Sequence, residues 1–478
     1  MKIEFIIPAQ NKAPVLIVPF FEGQKPSDDF DAKTIKAYGF TGKSGELVSF
    51  IRNGALTYLF GAGEKPTKDL NLFLQILGGK IAGFIKTLPQ TKVAVCTCSI
   101  ANDKTLTATP AAHLAYGLGL GSYCFDEYKT EKKDPHFIQV VSKSATDDEA
   151  AFAPLFAVMD GIYEARDLIS EPANMMSPAD FVETVKEMKL PKVKLHVLNT
   201  KQMQKLNMNL LLNVAAGAAK EPFLLVMEYM NGKKNDAPTV LVGKGVCYDS
   251  GGMNLKPASG LTHMKYDMSG GAAVVGTILA LSKMGAQQNV VGIVPLVENM
   301  LSSTAQHVDD VWQSMSGYTV EVGNTDAEGR LILADALWYG QEKYAPKRIV
   351  DIATLTGVMR YVFADQYAGL FTNDETLRKA LLTAGDKTQD KLWELPLNPA
   401  YEKMLASNIA DICNIGGQGA AGSATAAMFL KKFIKEGTAW AHIDMASVCW
   451  NDSDKPLAPK GATGFGVALL TQMILEDK

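Results

Sequence analysis

Residues 240–271 read VLVGKGVCYDSGGMNLKPASGLTHMKYDMSGG. The Val-Leu-Val run at its start has no polar alternation, the pattern of a strand buried on both faces of a sheet. It ends at Gly243-Lys244-Gly245. A loop rich in glycine and short acids follows: Asp249, Gly251-Gly252, Lys256-Pro257, then Asp267 before a Gly-rich helix start. Singly, Asp249 is a turn former, Lys256 a surface lysine and Asp267 an N-cap. Together they stand at the carboxyl end of a buried strand, where open α/β sheets place their ligands.

The same strand type recurs outward from this stretch. NVVGIVPLV from 289 and RIVDIATL from 348 are continuous apolar runs, each followed by a Gly-containing loop or a helix. They predict a central mixed, mostly parallel sheet covered by helices. Upstream, the first ~140 residues alternate short apolar runs such as APVLIVPFF and KVAVCTC with helical stretches such as DLNLFLQILGGKIAGFIKTL, a second α/β pattern. The polar, acidic SKSATDDEAAFA at 142–153 marks a boundary, and a long helical pattern after it joins the halves. The expected organisation is a smaller N-terminal α/β domain over 1–145, a linking helix over 146–165 and a larger C-terminal domain over 166–478. Two Gly-rich stretches are decoys and read as turns. AYGFTGKSG at 37–45 has Ala37 where a phosphate loop needs its first glycine, and GLGLGSYCF from 117 has Ser122 where a dinucleotide motif needs its third.

A second cluster, NTDAEGRL at 324–331, puts Asp326 and Glu328 two residues apart just before an apolar helical run. On a regular helix two such side chains diverge. A capped helix explains the octapeptide alone, since an acid near the N-terminus suits the helix dipole. Pooling the clusters changes the reading. Asp249, Asp267, Asp326 and Glu328 are four carboxylates, which do not gather in a partly buried site without positive charge. Two divalent cations balance them, as in two-metal hydrolases. Lys244 can then serve as a neutral amine ligand, because a metal displaces its proton. Lys256 and Arg330 leave a surplus of positive charge aimed at an anion. Asp326 and Glu328 fit such a site from a loop, with the helix expected to begin near Leu331.

Bulk properties exclude several classes. At 478 residues the chain is too long for one small core, and 47% apolar with 21% charged residues is an ordinary globular balance. A formal charge of -4 and a pI near 6.0 argue against nucleic acid as the main partner. Six dispersed cysteines without a C-x-x-C pair suit a reducing cytoplasm, and no apolar run reaches bilayer-spanning length. The N-terminus lacks the apolar stretch of a signal peptide. The six histidines are scattered without H-E-x-x-H, so histidine does not hold a metal here.

NTDAEGRL together with GKGVCYDSGG, LKP and DMSGG closely resembles the leucyl aminopeptidase (cytosol aminopeptidase) family, bacterial type. The resemblance extends to SEPANMMSP at 170, DIATLTG at 351, GSATAAMFL at 422, AHIDMAS at 441 and KGATGFGVALL at 460. It covers roughly 165–478, and the N-terminal part resembles the family's macro-like domain only loosely. Cys247-Tyr248 stand where Thr-Phe is more usual, and Cys449 where some members have Met.

The resemblance implies a tight metal site of Lys244, Asp249, Asp267 and Glu328. It implies an exchangeable one of Asp249, Asp326 and Glu328, with the Asp326 backbone oxygen. The ions implied are two of Mn²⁺ or Zn²⁺, with Mg²⁺ a further option. Lys256 is implied to stabilise the oxyanion, and Arg330 to hold a bicarbonate that acts as general base. The pocket for the first side chain maps onto Met264, Thr354, Leu355, Gly357, Ala446 and Cys449, an uncharged lining that fits Leu or Met. The resemblance further implies peptide substrates, a cytoplasmic homohexamer and no membrane partner. A phosphatase using the same two metals is a second reading, against which the resemblance argues. A degenerate paralogue acting as a structural or DNA-binding protein is another, against which all seven polar site residues speak.

Overall fold

The computed structural model describes residues 2–24, 35, 37–101, 109–132, 134–416 and 420–477. Two compact units divide the chain, Met1–Met159 with Asp452–Lys460, and Asp160–Asn451 with Gly461–Lys478. The division falls inside a 26-residue helix, Ala145–Ser170. The acids of the polar stretch at 142–153 belong partly to that helix: Asp147 and Asp148 lie in its first turn, where the dipole favours negative charge.

The first unit holds a six-stranded sheet in the order Lys2–Ile6, Phe137–Val141, Lys92–Cys96, Val15–Phe21, Ala55–Gly63, Leu47–Arg52. Neighbours run parallel except the last pair. The expected turn at 117 is instead helix: Gly117 to Ser122 close Pro110–Ser122. Its glycines serve packing, because a Cβ on Gly117 would stand 1.8 Å from the Gln75 carbonyl oxygen of helix Leu70–Ile85. The other decoy is a turn with its own anion. Backbone N–H groups of Thr41, Gly42 and Lys43 all donate to the Glu46 carboxylate at 2.8–3.2 Å, so these N–H groups are already taken by an acid of the chain itself.

The second unit carries a nine-stranded sheet. Its middle is four parallel strands, Ala439–Asp444, Arg348–Ala353, Thr239–Gly243 and Asn289–Asn299, in that order. Antiparallel strands Phe223–Met230 and Val193–Leu198 extend one side. Ala368–Thr372, antiparallel, and Leu392–Glu394 extend the other. Thr239–Gly243 is buried throughout, as its unbroken apolar run predicts. Two helices explain why. Val240, Ile293 and Ile349 meet Gly340 of helix Glu328–Tyr344, whereas Gly292 meets Val274 and Ile278 of helix Ser269–Met284. Successive side chains of a strand point to opposite faces, so the sheet lies between these two helices. No described helix is long and apolar enough to cross a membrane.

Helix Glu328–Tyr344 begins three residues before the expected Leu331. Glu328 thus sits in its first turn while Asp326 stays on the loop. A carboxylate in the first turn is favoured by the helix dipole, which makes the earlier start the stable one.

Candidate functional site

All four central parallel strands deliver a polar group at their carboxyl ends: Lys244, Asn299, Thr354 and Asp444. Lys244 is buried, and its Nζ lies 2.8 Å from Asp267 Oδ1 and Oδ2, 2.8 Å from Glu328 Oε1 and 2.9 Å from the Thr354 carbonyl oxygen. Burial alone would lower its pKa. The carboxylates of Asp267, Glu328 and Asp249 outweigh that and hold it above the usual lysine value. The Asp267 carboxyl is raised as well: burial lifts it well above the ordinary range, against the pull of Lys244.

Asp249 closes strand Gly245–Asp249, and Gly251 and Gly252 follow with φ of +88° and +66°, a backbone that glycine adopts without strain. The turn brings Gly251 N–H to Asp249 Oδ1 at 2.9 Å, and Asn299 Nδ2 donates to the same oxygen at 2.8 Å. Lys256 Nζ stands 2.7 Å from Asp249 Oδ2 and also pairs with Asp326. The Asp326 carboxyl is pushed up to about 6 by burial, then by Asp249 and Glu328, against the pull of Lys256.

Ligand oxygens of Asp249, Asp326 and Glu328 lie within 4.8 Å of one another. Asp267 Oδ2, Asp326 Oδ1 and Glu328 Oε1 are buried without a hydrogen bond, the lysines approaching them out of line. Buried carboxylate oxygens that lack a well-aligned hydrogen bond and are met only by lysine nitrogens are a donor set that suits hard divalent cations. Arg330 is buried in the first turn of the helix, donating from Nη1 to the Asn414 carbonyl at 2.6 Å while its Nε has no partner. Burial lowers its pKa to about 10. An unpartnered guanidinium N–H is a place for a small anion.

The apolar candidates divide between two loops. Thr354, Leu355 and Gly357 follow strand Arg348–Ala353, and Ala446 and Cys449 follow its parallel neighbour Ala439–Asp444. Thr354 Oγ1 donates to Asp267 Oδ1 at 2.7 Å, tying the first loop to the polar cluster. Gly357 has nothing within 4 Å of where a Cβ would stand. Cys449 is buried, and burial pushes its thiol up to about 12. Met264 opens the short helix Met264–Met268, which leans on Trp450 through His263, with rings 4.9 Å apart, and through Tyr266.

Two site residues carry no motif of their own. Asn299 was findable, because it ends a strand of the right type. Asn414 was not: only folding brings it to the 323–327 loop, where its Oδ1 accepts from Gly323 and Asn324 N–H at 2.8 and 3.1 Å and its Nδ2 donates to the Asn324 carbonyl at 2.7 Å. Asn414→Ala strips these partners, at about 1–3 kcal/mol per group left unsatisfied. The expected result is a lower melting temperature and a smaller stabilisation by added Mn²⁺, read by thermal unfolding with and without the ion. An unchanged Mn²⁺ increment would remove Asn414 from the site's support.

Comparisons with known proteins show which family the chain belongs to. The family model "Cytosol aminopeptidase family, catalytic domain" matches residues 163–471, and its N-terminal domain counterpart matches 17–132, where the sequence resemblance is loose. A probable cytosol aminopeptidase of Rickettsia bellii (strain OSU 85-389) is 43% identical over 452 residues, 92% of this chain and 89% of the relative. The cytosol aminopeptidase of Rickettsia prowazekii (strain Madrid E) is 43% identical over 450 residues, 91% and 89% of the two chains. Among solved structures, the bottromycin maturation enzyme BotP in complex with Mn superposes with a TM-score of 0.87 at 29% identity, covering 97% of this chain and 99% of that one. A mutant of tomato leucine aminopeptidase also gives 0.87 at 29% identity, covering 100% and 97%. With both of its domains matched and its relatives aligned over nine-tenths of its length, the chain belongs to the cytosol aminopeptidase family and is a hydrolase of that class.

Proposed function

We propose that this chain removes the N-terminal residue from peptides, preferring Leu, Met and other apolar residues, with residues 166–478 as the catalytic domain. The observation that carries the reading is the convergence of Lys244 with four carboxylates, three of whose buried oxygens have no hydrogen bond. Lys244, Asp249, Asp267 and Glu328 would hold one divalent cation, and Asp249, Glu328 and Asp326 with its backbone oxygen a second. When bound, such a pair supplies Lewis acidity and a water of lowered pKa at neutral pH. The Mn in the BotP complex supports Mn²⁺ as a candidate beside Zn²⁺ and Mg²⁺.

The chain's own groups complete the chemistry. Lys256, at the rim of the carboxylate cluster, donates to the oxygen that becomes negative when the scissile carbonyl is attacked. Arg330 would hold a bicarbonate through its unpartnered Nε, keeping a proton acceptor next to the reacting centre. The products are one free amino acid and a peptide shorter by one residue. We also propose a homohexamer in the cytoplasm. The test is metal analysis of protein purified without added metal, paired with hydrolysis of unblocked and N-acetylated Leu-anilide. Cleavage of the acetylated substrate at the unblocked rate would overturn the exopeptidase reading.

Preference follows from the lining. Met264, Thr354, Leu355, Gly357, Ala446 and Cys449 carry no charge, so Asp, Glu, Lys and Arg side chains would be buried unpaired. Each lost methylene is worth about 1 kcal/mol, so Ala and Gly substrates should fall by about ten-fold or more in kcat/KM. Cys449 is shorter than Met and leaves depth for Phe. In a panel of unblocked aminoacyl-anilides, Asp or Lys cleaved faster than Leu would refute the pocket. An unchanged Phe rate in Cys449→Met would refute the role of Cys449.

A further inference from the structure

Asp444 is fully buried at the end of its strand. Its carboxylate serves both loops that carry the apolar candidates. Oδ1 accepts from Leu355 N–H at 3.1 Å and Thr356 N–H at 3.4 Å on one loop, and from Ala446 N–H at 3.3 Å on the other. Oδ2 accepts from the Thr356 hydroxyl at 2.5 Å. That hydroxyl has one proton, already given to Asp444, so Ser423 donates to it across 2.8 Å. Ser423 opens helix Gly422–Lys431, which makes three chain segments meeting at one buried acid.

The physical need is clear from the sheet. The two strands are locked by ladder bonds up to Ala353 and Asp444, with Met445 N–H to the Ala353 carbonyl at 2.8 Å as the last. Beyond that point, among the described residues, no backbone hydrogen bond joins 354–357 to 446–449. A carboxylate between them accepts N–H groups from both sides and replaces the missing ladder.

We propose that Asp444 is a positioning residue that sets substrate specificity, fixing the gap between the 354–357 and 446–449 walls of the pocket for the first side chain. The inference rests on the aminopeptidase reading above. A wall free to shift relaxes around small and large side chains alike, so what is lost is discrimination more than chemistry.

The experiment compares kcat and KM for unblocked Leu- and Ala-anilides in the wild type, Asp444→Ala, Asp444→Asn and Thr356→Val, with metal content measured for each. Asp444→Ala should raise KM for the Leu substrate and shrink the Leu/Ala ratio of kcat/KM by about ten-fold or more, with metal content retained. Asp444→Asn keeps an oxygen for the backbone N–H groups and can turn its amide toward the Thr356 hydroxyl, so it should restore the ratio to within about three-fold of wild type. If Asp444→Ala does not fold, Thr356→Val decides. It removes only the hydroxyl link and should shift the ratio in the same direction, by about three-fold. A Leu/Ala ratio unchanged in the folded variants, or a uniform fall in kcat with the ratio kept, overturns the inference. A wild type that cleaves no unblocked anilide overturns the aminopeptidase reading instead.

Discussion

Exhaustive dialysis against a strong chelator is expected to abolish hydrolysis of Leu-anilide, and added Mn²⁺ to restore it. The reason lies in the donor set. Four carboxylates and one lysine nitrogen would make a hard, oxygen-rich site without histidine, a kind that should accept Mn²⁺ or Mg²⁺ as well as Zn²⁺. The buried oxygens Asp267 Oδ2, Asp326 Oδ1 and Glu328 Oε1 lack well-aligned hydrogen bonds and are met only by lysine nitrogens, so four carboxylates share two cationic side chains. Metal binding should therefore also raise the melting temperature, since a ligand that binds only the folded chain stabilises it by mass action. Full activity after dialysis, with no metal found by elemental analysis, would sink the two-metal reading. Activity lost and regained with no change in melting temperature would place the ion outside this cluster.

Lys256→Ala is expected to lower kcat by about 10²-fold or more while leaving metal content intact, the scale for losing one oxyanion donor. Lys256 touches Asp249 and Asp326 from the rim of the cluster and remains partly exposed. Lys244, by contrast, is enclosed by Asp267, Glu328 and the Thr354 carbonyl. The two lysines differ by position, and their variants should differ in kind: Lys244→Ala loses metal, Lys256→Ala loses rate. Stoichiometric metal analysis beside steady-state kinetics separates them. A Lys256→Ala variant that loses metal yet keeps its rate per bound ion would show that the two roles are assigned to the wrong lysines.

The sequence by itself determined the sheet type and the place of the site. Short unalternated Val/Ile runs fit strands buried on both faces, and the glycine-and-acid loop after Val242 marks a strand's carboxyl end. It also supplied the polar constellation, because charge balance among four acids and the spacing of two motifs are properties of the chain. Helix boundaries were less legible. Glu328 opens its helix and GLGLGS at 117–122 is helical, since a dipole and a close helix contact override what local glycine and acid content suggests. Tertiary structure alone decided which groups hold the site together. Asn414 reaches Gly323 from 91 positions away, and Asp444 joins two loops that share no sequence pattern. Neither has a spacing to read. Their roles come from backbone N–H groups that lose their ladder partners where strands end, and which residue takes those N–H groups is settled only when the chain is folded.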